Sequence, residues 1–466
     1  MKKIIYSLFV IVTAILFSAC QESSIYSEPI ELNNDTTIDD PIVDVGDTIF
    51  GPSKKEIPTL VVVMNWTDYS ENDPVVWSNK IFNQEENSVN RWYYDSTDAN
   101  IEFVPIAENS GTLNDGIIMV DMGKSHPGGY DDVSFRDTEI RDAITSSSVA
   151  DSVDFASFDT DGDGSISRTE LQIILVVAGG EQSYGDSISK SIWAHAWAFD
   201  SDNAPSVDGV SLMKADANES LSGSFMRFGA THGIDAYDEH KATIGIISHE
   251  LGHSLLNLPD LYDIDGGGSG LGYYAIMSGG SWAKRSVDSY DGETPVLFSA
   301  FSKTVSNIDV NLTEITTSVV EQYVTIKCSS NNLIKLDTAY ANEYFLLECR
   351  DTARLDSDRS FEYIDNDFTD NKLVSFIYHV DTDKATNTES GTQDASNHYK
   401  VGLVERDTSY SLVQNENITA HYNDSYTDGY TIDSSKTKSY DGSSGYNIEV
   451  QTSNYTDRTM TFKITK

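Results

Sequence analysis

Two histidines four residues apart flank a glutamate in the stretch GIISHELGHSLLNLPDLYD, which runs from Gly245 to Asp263. Residues four apart share one face of a helix, so His249 and His253 can both direct an imidazole at a single ion. Glu250 follows the first histidine directly, where its carboxylate can reach a water molecule beside that ion. This arrangement predicts a zinc site with a general base, a chemistry that hydrolyses peptide bonds.

A catalytic zinc site needs a third protein ligand and an open fourth position. In one large group of zinc proteases this ligand lies ten residues after the first histidine, a position that is Pro259 here. Asn257 tolerates the left-handed conformation that ends a helix, so a turn at this residue would bring Asp260 to the metal one position late. Other carboxylates that follow the helix remain alternatives: Asp263, Asp265 and Glu293.

A second metal site is indicated by the acidic stretch DTDGDGSISRTE, from Asp159 to Glu170. It matches the twelve-residue EF-hand loop, in which Gly164 makes the sharp turn. The expected calcium ligands are Asp159, Asp161, Asp163, the carbonyl of Ser165, and Glu170. Because the following segment, LQIILVVAG, is typical of a strand and no second copy occurs, we expect a structural clip and not a calcium sensor. An acidic turn without an ion is the alternative.

The composition of the chain limits its partners and its domain number. A formal net charge of -43 repels nucleic acid and anionic membrane surfaces. The chain has 466 residues, of which 39% are hydrophobic, enough for packed cores and more than one ordinary domain requires. We therefore expect two domains and no nucleic-acid partner.

The first twenty residues are typical of an export signal. Lys2 and Lys3 precede an apolar segment, Ile4 to Phe17, which is too short to span a bilayer as a helix. Small residues before Cys20 indicate lipidation of this cysteine, with an ordinary signal peptide as the alternative. We thus expect residues 1–20 to be a lipoprotein signal peptide that leads to a lipid-anchored location at the bacterial cell envelope or surface. In that compartment Cys328 and Cys349 could form a disulfide, which the sequence leaves open.

The elements that position the candidate site change in character along the chain. Residues 21–55 are polar and acidic, and we interpret them as a flexible spacer, with an inhibitory pro-segment as the alternative. Apolar runs at 60–64 and 171–179 predict buried strands, the zinc motif predicts a helix, and TPVLFSAFSKTVSNI predicts another. From residue 311 onward, short alternating runs separated by Asn, Asp, Gly and Ser indicate an all-β, sandwich-like part. The prediction is an α+β chain with a catalytic domain at 56–310 and a β-rich domain at 311–466.

The motifs together resemble one protein family. SHELGHSLLNLPDLYD followed by GYYAIMSGGSW is similar to the immune inhibitor A-like zinc metallopeptidases of bacteria. Other stretches along the chain, such as IPTLVVVMNWTD, SIWAHAW and FIYHVD, also resemble the family and occur in the expected order. The resemblance implies a metzincin-like catalytic domain and a β-rich C-terminal part. It implies that His249 and His253 bind zinc, that Glu250 is the general base and that Asp260 is the third ligand. It also implies that Met277 forms the hydrophobic floor under the metal.

The sequence therefore predicts an exported, lipid-anchored zinc endopeptidase, a monomer that acts on proteins or peptides and is stabilised by calcium. The alternative is a calcium-stabilised surface binding module on a protease scaffold that no longer cuts. One tyrosine near the motif could donate a hydrogen bond to the oxyanion of the transition state. The candidates are Tyr262, Tyr273 and Tyr274. His195 and His379 lie among apolar residues, and we interpret both as core histidines.

Overall fold

The computed structural model describes residues 54–85, 87–128, 135–187, 189, 191–215, 224–234, 238–264, 268–306, 308–351, 373–388, 397–406, 426–442 and 445–466. The predicted signal peptide with Cys20, nearly all of the predicted spacer at 21–55, and Asp265 lie outside the described residues. Within the described ranges, no helix has both the length and the apolar character needed to cross a membrane.

A mixed sheet forms the centre of the first part of the chain. Its strands are β1 (Lys55–Asn65), β2 (Ile101–Pro105), β3 (Ile117–Asp121), β4 (Gln172–Glu181), β5 (Ser191–Ile192), β6 (His195–Trp197), β9 (Phe225–His232) and β10 (His240–Lys241). The order is β10-β9-β4-β1-β2, with β3 also beside β1, β5 beside β4 and β6 beside β9. Only β6 and β10 run antiparallel to their neighbour, which is β9 in both cases. Two further strands, β7 (Ser206–Val207) and β8 (Val210–Ser211), pair with each other.

The central strands are apolar because both faces of the sheet are covered, as is usual for parallel strands. Successive side chains of β1 point to opposite faces. Val61 and Val63 join the core on one face, and Leu60, Val62 and Met64 join the core on the other. The predicted strands at 60–64 and 171–179 are therefore present as parts of β1 and β4.

The helices are short except for the one that carries the zinc motif. They are α1 (Pro74–Phe82), α2 (Val89–Thr97), α3 (Arg141–Ile144), α4 (Ser147–Ala150), α5 (Ile244–Leu256) and α6 (Ala300–Val305). The helix predicted for TPVLFSAFSKTVSNI is shorter than expected, because it begins only after Ser299, whose hydroxyl accepts a hydrogen bond from the Ser302 amide. Pro295 disfavours helical conformation at the residue before it, which is consistent with the late start.

The last part of the chain consists of two sheets. One has the order β11-β13-β14-β15-β16 and the other the order β12-β19-β18-β17. The strands are β11 (Asn311–Ile315), β12 (Glu321–Lys327), β13 (Asn332–Asp337), β14 (Glu343–Asp351), β15 (Leu373–Asp381), β16 (Val401–Leu403), β17 (Thr431–Ile432), β18 (Asn447–Asn454) and β19 (Thr459–Thr465). Apolar residues from both sheets form one core. Cys328 and Cys349 form a disulfide with their Cα atoms 4.4 Å apart, which settles the pairing that the sequence left open.

The two parts of the chain share a hydrophobic core. Ile247 and Leu251 of α5 belong to the same cluster of buried residues as Leu346 of β14 and Phe376 of β15. Residues Thr48–Lys466 accordingly form one compact unit. The chain is a mixed α+β protein, and the domain boundary near residue 310 stays a prediction.

Candidate active site

The two histidines of α5 point their ring nitrogens at the same place. The Nε2 atoms of His249 and His253 lie 3.1 Å apart. The Nδ1 atom of His249 lies 2.8 Å from the carbonyl oxygen of Ile276, and that of His253 lies 2.6 Å from the carbonyl oxygen of Leu258. Because a carbonyl oxygen only accepts, the proton of each neutral ring is on Nδ1, and the Nε2 lone pairs face each other.

A turn immediately after α5 supplies the third group. Asn257 adopts the left-handed conformation, with φ 53° and ψ 35°, as its residue type predicted. The chain then reverses, and the amide of Leu258 donates to the carbonyl of Gly252 at 3.1 Å. After this reversal, Oδ1 of Asp260 lies 3.2 Å from Nε2 of His249 and 3.1 Å from Nε2 of His253.

These three atoms fit a divalent metal ion. Nitrogen and oxygen ligands at 2.0–2.1 Å from a tetrahedral zinc are roughly 3.3 Å apart, close to the spacing of 3.1–3.2 Å found here. Two lone pairs and a carboxylate oxygen that face one another repel unless a cation lies between them. Burial alone would raise the pKa of Asp260, but without a metal the imidazolium forms of His249 and His253 donate to its carboxylate and hold its pKa well below the ordinary value. The carboxylate therefore stays charged, as a metal ligand must be.

The loop that contains Met277 packs against α5 at Gly252. A Cβ atom added to Gly252 would come within 2.6 Å of Sδ of Met277, so only glycine allows this close approach without movement. Met277 is fully buried. Its carbonyl oxygen accepts a hydrogen bond of 2.6 Å from the amide of Leu261, the residue after Asp260. The loop thus supports both the helix that carries the histidines and the segment that carries the carboxylate.

Glu250 and a second glutamate lie behind the histidines. The pKa of Glu250 is raised to about 8, mainly by burial; the charge of His249 opposes this rise, and the carboxylates of Asp260 and Glu181 add to it. Glu250 lines the same cleft as the three candidate ligands. A divalent cation held by the three neighbouring groups would favour the charged form of this carboxyl group, which could then accept a proton.

Glu181, which sequence reasoning missed, fixes the wall of the site. It is fully buried at the end of β4, and burial raises its pKa. Its carboxylate accepts hydrogen bonds from the amides of Ser183 (2.9 Å), Ala194 (3.0 Å) and Gly229 (2.8 Å), and from the Ser183 hydroxyl (2.7 Å). The Glu181 side chain therefore links strand β9 with the segment that precedes β6.

An open cleft of about 490 Å³ gives access to these groups. Aromatic side chains line it, and several are exposed to solvent: Trp193 (52%), Trp197 (40%) and Tyr262 (41%). His195 also lines the cleft and is only partly buried, so its interpretation as a core histidine was wrong. Side chains of an edge strand alternate between core and cleft, and the sequence does not reveal which set faces which way. His379 is buried and pairs with Glu343 at 2.7 Å.

The other candidate residues lie elsewhere. Asp263 is buried and accepts a hydrogen bond of 2.9 Å from the Tyr399 hydroxyl. It lies outside the cluster formed by His249, His253 and Asp260. Glu293 lines a different cavity beside Lys80. Of the three tyrosines considered, Tyr262 lines the cleft, and its hydroxyl donates to Oδ2 of Asp260 at 3.1 Å.

The acidic loop at 159–170 is compact and only partly matches the predicted ligand set. Carboxylate oxygens of Asp159, Asp161 and Glu170 lie within 4.8 Å of one another, whereas Asp163 is outside this group. The Oδ1 atom of Asp163 instead accepts a hydrogen bond from the amide of Ser165 at 2.7 Å, within the loop itself. The loop turns at Gly164, where φ is +81°, as the motif predicted. Strand β4 follows the loop directly, as predicted, and no long helix lies before it among residues 135–158; a structural calcium clip stays a prediction.

Comparisons with known proteins agree with the geometry. A family model described as "Immune inhibitor A peptidase M6, catalytic domain" matches residues 67–309. Immune inhibitor A of Bacillus thuringiensis subsp. alesti is 29% identical over 175 residues, which cover 34% of this chain and 23% of the relative. Pre-pro-metalloprotease PrtV of Vibrio cholerae is 26% identical over 271 residues, covering 53% of this chain and 28% of the relative. The chain thus spans about a quarter of the length of these curated relatives.

Proposed function

Because the chain belongs to the immune inhibitor A family of M6 peptidases, we propose that it is a zinc endopeptidase that hydrolyses protein substrates. The observation that carries the proposal is the convergence of two imidazole nitrogens and one carboxylate oxygen, all within 3.2 Å of one another, at the base of an open cleft. His249, His253 and Asp260 would hold the metal. Bound by these residues, zinc would supply a Lewis acid for the attacking water and the scissile carbonyl group.

The protein's own groups provide the remaining steps. Glu250 takes a proton from the attacking water and delivers it to the leaving amine when the peptide bond breaks. The carbonyls of Ile276 and Leu258 fix the two histidine rings in the tautomer that leaves Nε2 available. Tyr262 borders the cleft beside Asp260, from where its hydroxyl can donate to the oxyanion of the transition state. The exposed aromatic side chains of the cleft offer apolar contacts to the substrate's side chains.

The alternative, a binding module that no longer cuts, depended on the unusual spacing after His253. The turn at Asn257 accommodates this spacing and delivers Asp260 to both imidazoles, so the spacing no longer argues against a metal. Family membership and the buried acid at Glu250 favour the enzyme.

We further propose that calcium stabilises the loop at 159–170 and that the protein is exported. Asp159, Asp161 and Glu170 offer the oxygen ligands that calcium prefers, and the motif adds Asp163 and the carbonyl of Ser165. The disulfide between Cys328 and Cys349 favours an oxidising compartment. The proposed lipid anchor at Cys20 rests on the sequence alone, as does the proposed monomeric state.

Proteolysis of an unfolded protein substrate tests the enzyme. We expect the wild type to cleave reduced, alkylated casein in the presence of zinc and to lose activity when zinc is removed by 1,10-phenanthroline. The Glu250→Gln variant should bind zinc normally and lose at least about a hundredfold in kcat, because only the proton transfer is removed. Undiminished cleavage by this variant would show that another group is the base.

A further inference from the structure

The segment that presents Asp260 has no helix or strand of its own. From Pro259 to Ile264 its conformation depends on contacts with other parts of the chain. The catalytic part supplies two of them through Leu261: its amide donates to Met277, and its carbonyl accepts from the amide of Leu271 at 2.9 Å. A metal ligand on such a segment is held in place only as well as its neighbours hold the backbone.

The β-rich C-terminal region holds the same segment through one buried side chain. Nδ2 of Asn387 donates to the carbonyls of Leu261 and Val401, both at 2.9 Å, and its Oδ1 accepts from the amide of Val401 at 3.0 Å. The main-chain carbonyl of Asn387 also accepts from the amide of Ile264 at 3.0 Å. Asn387 is fully buried, so water does not compete for these bonds.

A tyrosine of the same region makes a further contact. The hydroxyl of Tyr399 donates to Oδ2 of Asp263 at 2.9 Å, and both side chains are buried. Residues 261, 263 and 264 are thus all bonded to residues that lie far beyond position 309, where the match to the peptidase family model ends.

We propose that Asn387 is a positioning residue for Asp260 and that the C-terminal region thereby completes the metal site. This inference rests on the proposed metal-binding function of His249, His253 and Asp260. Groups that orient metal ligands typically change metal affinity by about 10–100-fold when they are removed. Because Asn387 acts through the backbone next to Asp260, we expect an effect near the lower end, roughly tenfold.

The chain offers a matched control for this role. Asn331 is also a buried asparagine of the C-terminal region, and its Nδ2 donates to main-chain carbonyls outside the β-sheets, those of Thr97 (2.8 Å) and Asp309 (3.0 Å). Neither carbonyl belongs to the segment that presents Asp260. Both Asn387→Ala and Asn331→Ala remove two Nδ2 donations to main-chain carbonyls, at different places; Asn387→Ala also removes the bond that Oδ1 accepts from Val401.

The test measures zinc affinity of the full-length chain by competition with a chromogenic chelator, in a buffer that contains calcium. A second readout is the visible absorption spectrum of the cobalt-substituted protein, which reports the arrangement of ligands around the metal. We expect both alanine variants to lower the unfolding midpoint of the zinc-free protein. Only Asn387→Ala should weaken zinc binding, about tenfold, and alter the cobalt spectrum.

Equal zinc affinity and an unchanged spectrum in Asn387→Ala would overturn the inference while the zinc site itself stands. If Asn387→Ala does not fold, Tyr399→Phe decides, because it removes one hydroxyl and no volume of the ring. Weaker zinc binding in a folded Tyr399→Phe protein supports the claim that the C-terminal region completes the metal site, and unchanged binding and spectrum overturn that claim. A wild-type chain that binds no zinc would overturn the proposed function, and the inference with it.

Discussion

The turn that brings Asp260 to the histidines can be perturbed through a single exposed residue, Asn257. Its side chain projects into solvent, while its backbone is in the left-handed conformation at φ 53°. Its amide donates to the carbonyl of His253 at 3.0 Å and closes the end of α5. Two residues that matter for the metal follow: Leu258, whose carbonyl orients the ring of His253, and Asp260. Substitutions here change backbone preference without opening a cavity.

The expected order of stability is wild type about equal to Asn257→Gly, followed by Asn257→Ala and then Asn257→Val. The left-handed conformation costs an ordinary L residue about 1–2 kcal/mol, and asparagine tolerates it better than most. We therefore expect Asn257→Ala to lower the free energy of unfolding by about 1 kcal/mol and the β-branched valine by about 2 kcal/mol. Glycine adopts the conformation freely but has more freedom in the unfolded chain, so the two effects nearly cancel.

Urea unfolding with and without zinc provides the assay. Bound metal stabilises the folded state according to its affinity, so a tenfold loss of affinity removes about 1.4 kcal/mol of that stabilisation. The valine variant should therefore lose more stability with zinc than without it. Equal stability of all four proteins in both conditions would refute the link between this turn and the ligand that follows it.

Three other perturbations have defined outcomes. His232 is fully buried, and neither ring nitrogen has a hydrogen-bond partner among the described residues; burial, followed by the charges of His240 and Lys80, lowers its pKa to about 3. The unfolded chain then binds a proton that the folded chain does not, so the stability that neutral His232 allows is lost as pH falls from about 6.5 towards 3. Urea unfolding at several pH values should show a shallower loss in His232→Phe; a slope identical to that of the wild type would contradict this assignment. Calcium should raise the melting temperature of the wild type more than that of Glu170→Gln, as thermal unfolding in calcium and in chelator can show; equal shifts would argue against a site at this loop. Trp193→Ala should reduce kcat/KM about tenfold for peptides with a large apolar residue beside the scissile bond and leave small-residue peptides unaffected, since burying an aromatic contact is worth roughly 1–2 kcal/mol. A uniform change across a peptide library would instead indicate a general defect.

The local parts of the candidate site could be predicted from the sequence. Helical spacing placed His249 and His253 on one face, and the tolerance of asparagine for the left-handed conformation indicated where α5 ends. Because Asp260 follows this turn within a few residues, its approach to the histidines is also a local event. The strands β1 and β4 were visible as uninterrupted apolar runs, since strands buried on both faces need them.

The non-local parts could not be predicted. Glu181 acts through the amides of Ala194 and Gly229, which meet it only when β4, β6 and β9 assemble. Asn387 reaches Leu261 across 126 positions of the chain, and no motif marks it. The acidic loop shows the limit of motif spacing: the motif includes Asp163, but the structure brings together only the carboxylates of Asp159, Asp161 and Glu170, while Asp163 accepts from the amide of Ser165.

The identity of the third ligand is the central claim, and zinc content tests it most directly. Asp260→Asn and Asp263→Asn form a matched pair, because both remove one carboxylate from the same segment and only Asp260 lies beside the imidazoles. The amide oxygen that Asp263→Asn introduces can still accept the hydrogen bond from Tyr399. After equilibration at the same limiting free zinc concentration, elemental analysis should find about one zinc per chain in the wild type and in Asp263→Asn, and far less in Asp260→Asn. Full zinc content in Asp260→Asn, or its loss in Asp263→Asn alone, would contradict the account.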